Sequence, residues 1–134
     1  MDKKKVLAVD DEPTILSAIK DSLSDKYNVL TAKNGKEALK IVEAQDPDLV
    51  IMDVMMPEMD GFEAARRLHL KNKFRPVIIF LSAKASLADV EHGLKIGGFE
   101  YITKPFSPAK LEAKVDEAFA RMETRKHMKS NNNT

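Results

Sequence analysis

Three short runs of this chain are apolar at every position: Val6–Val9, Leu49–Met52 and Val77–Leu81. A strand with one wet face alternates apolar and polar residues, so a run with no polar position needs cover on both faces. Such runs are too short for helices and are rich in branched side chains, which suits buried parallel strands. Two more polar runs, Asn28–Ala32 and Phe99–Ile102, read as edge strands of the same sheet.

The segments between these runs carry helical stripes. Ile15, Ile19 and Leu23 recur every fourth residue. Ala38, Leu39 and Val42 line a second helix, and Phe62, Ala65 and Leu68 give a weaker third. Leu87, Val90 and Leu94 mark a fourth. Leu111, Val115, Ala118, Phe119 and Met122 form the clearest stripe, near the end of the chain. Asn34, Asp60, Ser86 and Ser107 stand where helix N-caps are wanted, Asp89 completes a capping box with Ser86, and Pro108 opens the last helix. The order is strand–helix repeated five times. This predicts a single α/β domain of flavodoxin-like, doubly wound type, a (βα)5 unit with a five-stranded parallel sheet of order 2-1-3-4-5. With 134 residues there is room for one domain.

Sites in such sheets form beyond the carboxyl ends of the strands. There the sequence places Asp10, Asp11 and Glu12 after strand one, Asp53 after strand three, Ser82 after strand four, and Thr103, Lys104 and Pro105 after strand five. Two like charges about 4 Å apart repel by roughly 4 kcal/mol at an effective dielectric of 20. An acidic rim of this kind therefore calls for a cation, a raised pKa or separation. All-oxygen donors favour a hard divalent ion, Mg²⁺ first and Mn²⁺ as its substitute. Cysteine is absent and His69, His92 and His127 are scattered, which argues against zinc. The blander reading of Asp10 and Asp11 is a solvated loop capping the helix that starts near Pro13, and that of Asp53 is a strand-end carboxylate in water.

Several classes are excluded. The turn after strand one, Asp10-Asp11-Glu12-Pro13, repels bare phosphate, and the chain has no glycine-rich nucleotide loop and no G-x-S-x-G elbow. Its net charge of +1 does not suggest a nucleic-acid binder. The apolar run after the first residues is too short for a secretory signal or a membrane span, so a cytoplasmic protein is expected. What remains is the parts set for phosphoryl transfer: an aspartate nucleophile, a divalent ion, a hydroxyl and a lysine.

Five segments carry a closer resemblance: Val6–Glu12, Leu49–Pro57, Met59-Asp60-Gly61, Phe80–Ala83 and Tyr101–Phe106. In this order and spacing, over about residues 4–123, they resemble the receiver domain of two-component response regulators. The resemblance implies that Asp53 is the phosphoacceptor, loaded by a sensor histidine kinase or a phosphotransfer protein. It implies Mg²⁺ on Asp11, Asp53 and the Met55 backbone carbonyl, with Asp10 acting through water. Ser82, with Ala83 beside it, and Lys104 would hold the phosphoryl group, and the Lys104–Pro105 bond would be cis. Tyr101 would be the aromatic switch, turning inward when Ser82 moves and reshaping the face of helix four, strand five and helix five. A half-buried edge-strand aromatic is the simpler reading of Tyr101. Met55 and Lys84 would flank the path of the hydrolytic water and give slow to moderate loss of phosphate. Met55, Met56 and Met59 otherwise read as adaptable packing.

The implied protein is a signalling module that catalyses only its own phosphorylation and dephosphorylation. It would act through a downstream protein or output domain, with homodimerisation through the helix four–strand five–helix five face as one route, and without membrane contact. Residues 124–134 read as a polar, basic, frayed tail or the start of a linker. Whether the chain is a stand-alone receiver or a piece of a longer regulator with a DNA-binding or enzymatic output domain stays open. A Mg²⁺-dependent aspartyl-phosphate hydrolase is the reading from another class. It is disfavoured because Met55 stands where such an enzyme places a second aspartate, and because the chain offers no cap over a substrate.

Overall fold

Strands form where the sequence has continuous apolar runs. In a computed structural model, which describes residues 3–71 and 76–132, β1 spans Lys5–Val9, β2 Asn28–Ala32, β3 Leu49–Met52, β4 Val77–Ser82 and β5 Glu100–Thr103. The helices are α1 Pro13–Leu23, α2 Gly35–Gln45, α3 Gly61–Lys71, α4 Leu87–Lys95 and α5 Pro108–Asn132. All strand pairs are parallel and the order is β2-β1-β3-β4-β5, with the three wholly apolar runs central and the two mixed ones at the edges.

Alternate residues of each central strand feed two separate cores. Leu7, Val9, Val50, Met52, Ile78 and Phe80 point to one side, where Ala38 and Val42 of α2 and Ala64 and Leu68 of α3 cover them. Val6, Ala8, Leu49, Ile51, Ile79 and Leu81 point to the other, under Ile19 and Leu23 of α1 and Leu111, Val115 and Ala118 of α5. Each large side chain buried this way contributes about 1.5–3 kcal/mol, and this two-sided burial fixes the register of the central strands. The mixed strands β2 and β5 are the edges.

The cap signals become hydrogen bonds. Asn34 Oδ1 accepts from the Glu37 amide, Asp60 Oδ1 from Glu63, Ser86 Oγ from Asp89 and Ser107 Oγ from Lys110. The Ser86–Asp89 capping box is reciprocal. At α1 the N-cap is Glu12, whose side chain makes no capping bond, with Pro13 at the first turn. Asp10 Oδ1 instead accepts from the Glu12 amide, which turns the chain away from β1 before the helix begins.

The tail also departs from expectation. α5 continues through 124–132 rather than fraying at Glu123. Neither glycine nor proline interrupts the sequence after Pro108, and Arg121 pairs with Glu117 one turn back, so nothing local stops the helix. Asn133 and Thr134 lie outside the described residues.

Candidate functional site

The sheet ladder places the site. Just past the strand ends, the Asp10 amide donates to the Ala32 carbonyl, the Asp53 amide to Val9, and the Lys104 amide to Ser82. These bonds hold Asp10, Asp53, Ser82 and Lys104 at neighbouring carboxyl ends of the sheet. Asp10, Asp53 and Ser82 are the only polar residues buried among those described, at 1%, 3% and 0% exposure. The solvated-loop readings of Asp10 and Asp53 are therefore excluded; Asp11 and Glu12 are the exposed members of the rim.

Lys104 joins the two buried carboxylates. Its ammonium lies 2.7 Å from Asp10 Oδ2 and 3.5 Å from Asp53 Oδ2. Burial alone would lower the Lys104 pKa, but the two carboxylates hold it above the ordinary lysine value. Burial pushes the Asp53 carboxyl up, the Asp10 charge pushes it further, and Lys104 and the Met55 amide oppose both. The Met55 amide donates to Asp53 Oδ1 at 3.3 Å, and the Met55 side chain stands in solvent. Gly61, at the start of α3, lets the loop after β3 fold back on itself: a Cβ there would sit 2.0 Å from the Asp53 carbonyl oxygen.

The donor set fits a hard divalent cation. Oxygens of Asp10, Asp11 and Glu12 come within 4.8 Å of one another. The buried Asp10 Oδ2 has no hydrogen-bond partner among the described residues and is met instead by the Lys104 ammonium in an ion pair at 2.7 Å. Among the described residues Asp53 is not part of that close acidic group; it is tied to Asp10 through Lys104.

On the other side of Asp53, Ser82 Oγ accepts from the Lys84 amide at 3.2 Å, and Ala83 is exposed in the loop. Tyr101 is 8% exposed, and its hydroxyl donates to the Lys84 carbonyl. The ring already occupies the inward position, beside Phe80 at a centroid distance of 6.0 Å and against Gly93 of α4, where a Cβ would come within 3.0 Å of Tyr101 Cδ2. The absent side chain at position 93 and the free Lys84 carbonyl make this position available, and neither was visible as a contact in the sequence. Burial raises the Tyr101 pKa, the Ser82 hydroxyl opposes it, and the charges of Asp89 and Asp53 add to it. The Lys84 ammonium lies 3.7 Å from Asp89 Oδ1 at the start of α4. The Lys104–Pro105 peptide is cis.

A doubly wound parallel sheet with buried aspartates, a lysine and a hydroxyl at its carboxyl rim defines a class of signalling domain, and the sequence comparisons identify it. The chain matches the response regulator receiver domain over residues 6–116 and belongs to that family, part of two-component systems. The alkaline phosphatase synthesis transcriptional regulatory protein PhoP of Bacillus subtilis is 40% identical over 121 residues, covering 90% of this chain and 50% of PhoP. The chain spans about half the length of the curated relatives it matches. The receiver domain of Francisella response regulator 1452 superposes with a TM-score of 0.83 at 34% identity, over 90% of this chain and 99% of that one. The Vibrio cholerae chemotaxis protein CheY4 does so with a TM-score of 0.78 at 35% identity, over 86% and 98%. Among the described residues no helix is long and apolar enough to cross a membrane.

Proposed function

We propose that the chain receives a phosphoryl group on Asp53 from the phosphohistidine of a sensor kinase or phosphotransfer protein. The observation that supports this most is Lys104 held between the buried carboxylates of Asp10 and Asp53, with Ser82 on the adjoining strand end. Asp53 Oδ forms the new bond to phosphorus as the phosphorus–nitrogen bond to the donor imidazole breaks. The imidazole leaves with the electron pair and takes up a proton. Lys104 then pairs with a phosphoryl oxygen, and Ser82 donates its hydroxyl to another. Asp10, Asp11, Asp53 and the Met55 carbonyl would hold Mg²⁺, with Mn²⁺ as substitute, and Glu12 adds negative potential at the same rim. Bound there, the ion neutralises charge between the carboxylate and the incoming phosphoryl group.

The readout runs through Ser82, Lys84 and Tyr101. A Ser82 hydroxyl drawn toward the phosphoryl group leaves the Lys84 amide, and the Lys84 carbonyl is the acceptor of Tyr101. Phosphorylation thereby stabilises one arrangement of the α4–β5–α5 face, which meets a downstream protein, an output domain or a second receiver. Met55 and Lys84 stand at the edges of the water path and set a slow to moderate loss of phosphate. Curated relatives such as PhoP are transcriptional regulators of about twice this length, which supports a DNA-directed output as one reading of the downstream step.

Incubation with acetyl phosphate and Mg²⁺, followed by intact mass and peptide mapping, tests the reading. One added phosphoryl group on Asp53, absent in Asp53→Asn and without divalent ion, is expected. An unchanged mass, or modification elsewhere, rejects it.

A further inference from the structure

Two lysines are tied to the same serine and send their charges to different carboxylates. The Lys104 amide donates to the Ser82 carbonyl, and the Lys84 amide donates to Ser82 Oγ. The Lys104 ammonium enters the rim, against Asp10 and Asp53. The Lys84 ammonium is met instead by Asp89 Oδ1, on the first turn of α4, at 3.7 Å.

Of this second pair, Asp89 is the fixed member. Its Oδ2 accepts from the Ser86 hydroxyl at 2.7 Å and from the Ser86 amide at 3.3 Å, and its own amide donates back to Ser86 Oγ at 3.1 Å. The capping box thus occupies one carboxylate oxygen and leaves the other for Lys84. The Lys84 backbone is held as well, its amide by Ser82 and its carbonyl by the Tyr101 hydroxyl. Only the Lys84 side chain, half exposed on a flexible four-carbon stem, has freedom to move. An ion pair this exposed is weak, so a stronger anion within reach competes with it. The charges of Asp89 and Asp53 both act on the Tyr101 hydroxyl, so the two carboxylates share one neighbourhood. A phosphoryl group on Asp53 enlarges the negative charge on its side of the competition.

We propose that Asp89 is a positioning residue, which holds the Lys84 ammonium off the Asp53 rim and so limits how fully Lys84 serves as a second cation on a phosphoryl group there. The inference rests on the phosphorylation of Asp53 proposed above. That group is lost when water attacks phosphorus and the phosphorus–oxygen bond breaks, which returns the Asp53 carboxylate and releases inorganic phosphate. An ammonium paired with a phosphoryl oxygen obstructs the approach of water, so the phosphoryl group lasts longer when Asp89 lets Lys84 go.

The test is a cycle of wild type, Asp89→Asn, Lys84→Gln and the double variant. Each is loaded with acetyl phosphate and Mg²⁺ and desalted into Mg²⁺ buffer, and its decay is followed by intact mass. A half-life two- to fivefold longer in Asp89→Asn is expected, in keeping with the strength of an exposed pair, with no such lengthening when Asp89→Asn is added to Lys84→Gln. Loss of the α4 cap alone would act equally in both backgrounds, and that result overturns the proposal. An unchanged or shorter half-life in Asp89→Asn overturns it too. An unmodified wild-type mass removes the phosphorylation reading beneath it, whereas a loaded wild type whose decay ignores Asp89 rejects this inference alone. The resting contact has its own readout in magnesium-free protein: ¹³C titration of the Asp89 carboxyl, already held below the ordinary aspartate value, should move upward in Lys84→Gln. No movement shows that Asp89 does not hold Lys84 and overturns the proposal. Asp89→Ser repeats the cycle if Asp89→Asn is poorly folded.

Discussion

The Tyr101 hydroxyl donates its hydrogen bond to the backbone carbonyl of Lys84, the residue whose amide donates to Ser82 Oγ. One peptide segment therefore links the buried Ser82 hydroxyl at the end of β4 to the aromatic ring packed against Gly93 of α4. Tyr101→Phe keeps the ring and removes the bond. A loss of about 1 kcal/mol in urea unfolding is expected, together with weaker coupling between Asp53 phosphorylation and partner binding. An unchanged coupling would show that the Lys84 carbonyl carries no signal.

Gly93→Ala tests the space that the ring occupies. The added methyl would meet Tyr101 Cδ2 at 3.0 Å and Phe80 Cδ2 at 3.1 Å. Overpacking costs about 1–3 kcal/mol and the helix propensity of alanine returns about 1. A small net destabilisation is expected, with Tyr101 displaced toward solvent. The chain has two tyrosines, so fluorotyrosine labelling resolves Tyr101 from Tyr27 by ¹⁹F NMR.

Lys104→Met should destabilise the protein by about 3 kcal/mol, because it leaves two carboxylates buried without their cation. Adding Asp53→Asn should recover part of that loss, and Asp53→Asn alone should stabilise the metal-free protein, since burial and Asp10 disfavour its charged form. A double-mutant cycle in urea with EDTA measures the coupling. Additive losses would show that Lys104 does not bridge the pair.

Asp116 gives the pH dependence. Its carboxylate accepts from the Tyr27 hydroxyl and lies 3.0 Å from Lys26 Nζ. Burial alone would raise its pKa, but these two partners hold it below the ordinary carboxylate value. Stability from a depressed acid is fully present above the unfolded pKa, about 3.9 for aspartate, and is lost as pH falls through the folded value. Asp116→Asn should therefore cost about 1 kcal/mol at neutral pH, a charged hydrogen bond discounted for its exposure, and the gap from wild type should close below about pH 4. Urea midpoints across that range measure it.

The strands were legible because residues covered on both faces have no polar option, as in Leu49–Met52. The caps were legible because Asn34, Asp60, Ser86 and Ser107 act within one turn of chain. The convergence of Asp10, Asp53, Ser82 and Lys104 followed from strand order. The contacts that decide their chemistry did not. Tyr101 reaches a main-chain carbonyl, which no side-chain pattern announces, and it needs the missing side chain of Gly93 on another element. Asp53 meets Lys104 rather than the acidic trio because of directions set by loop geometry. The length of α5 is not legible from polarity after Met122, because polar residues without glycine or proline continue a helix readily.

The ammonium of Lys104 gives the acidic rim a resident counter-ion. On the proposed function, a divalent ion held at this rim would have to share Asp10 and Asp53 with a group already there, which would moderate its affinity, and a phosphoryl group on Asp53 would draw the tethered amine away from Asp10.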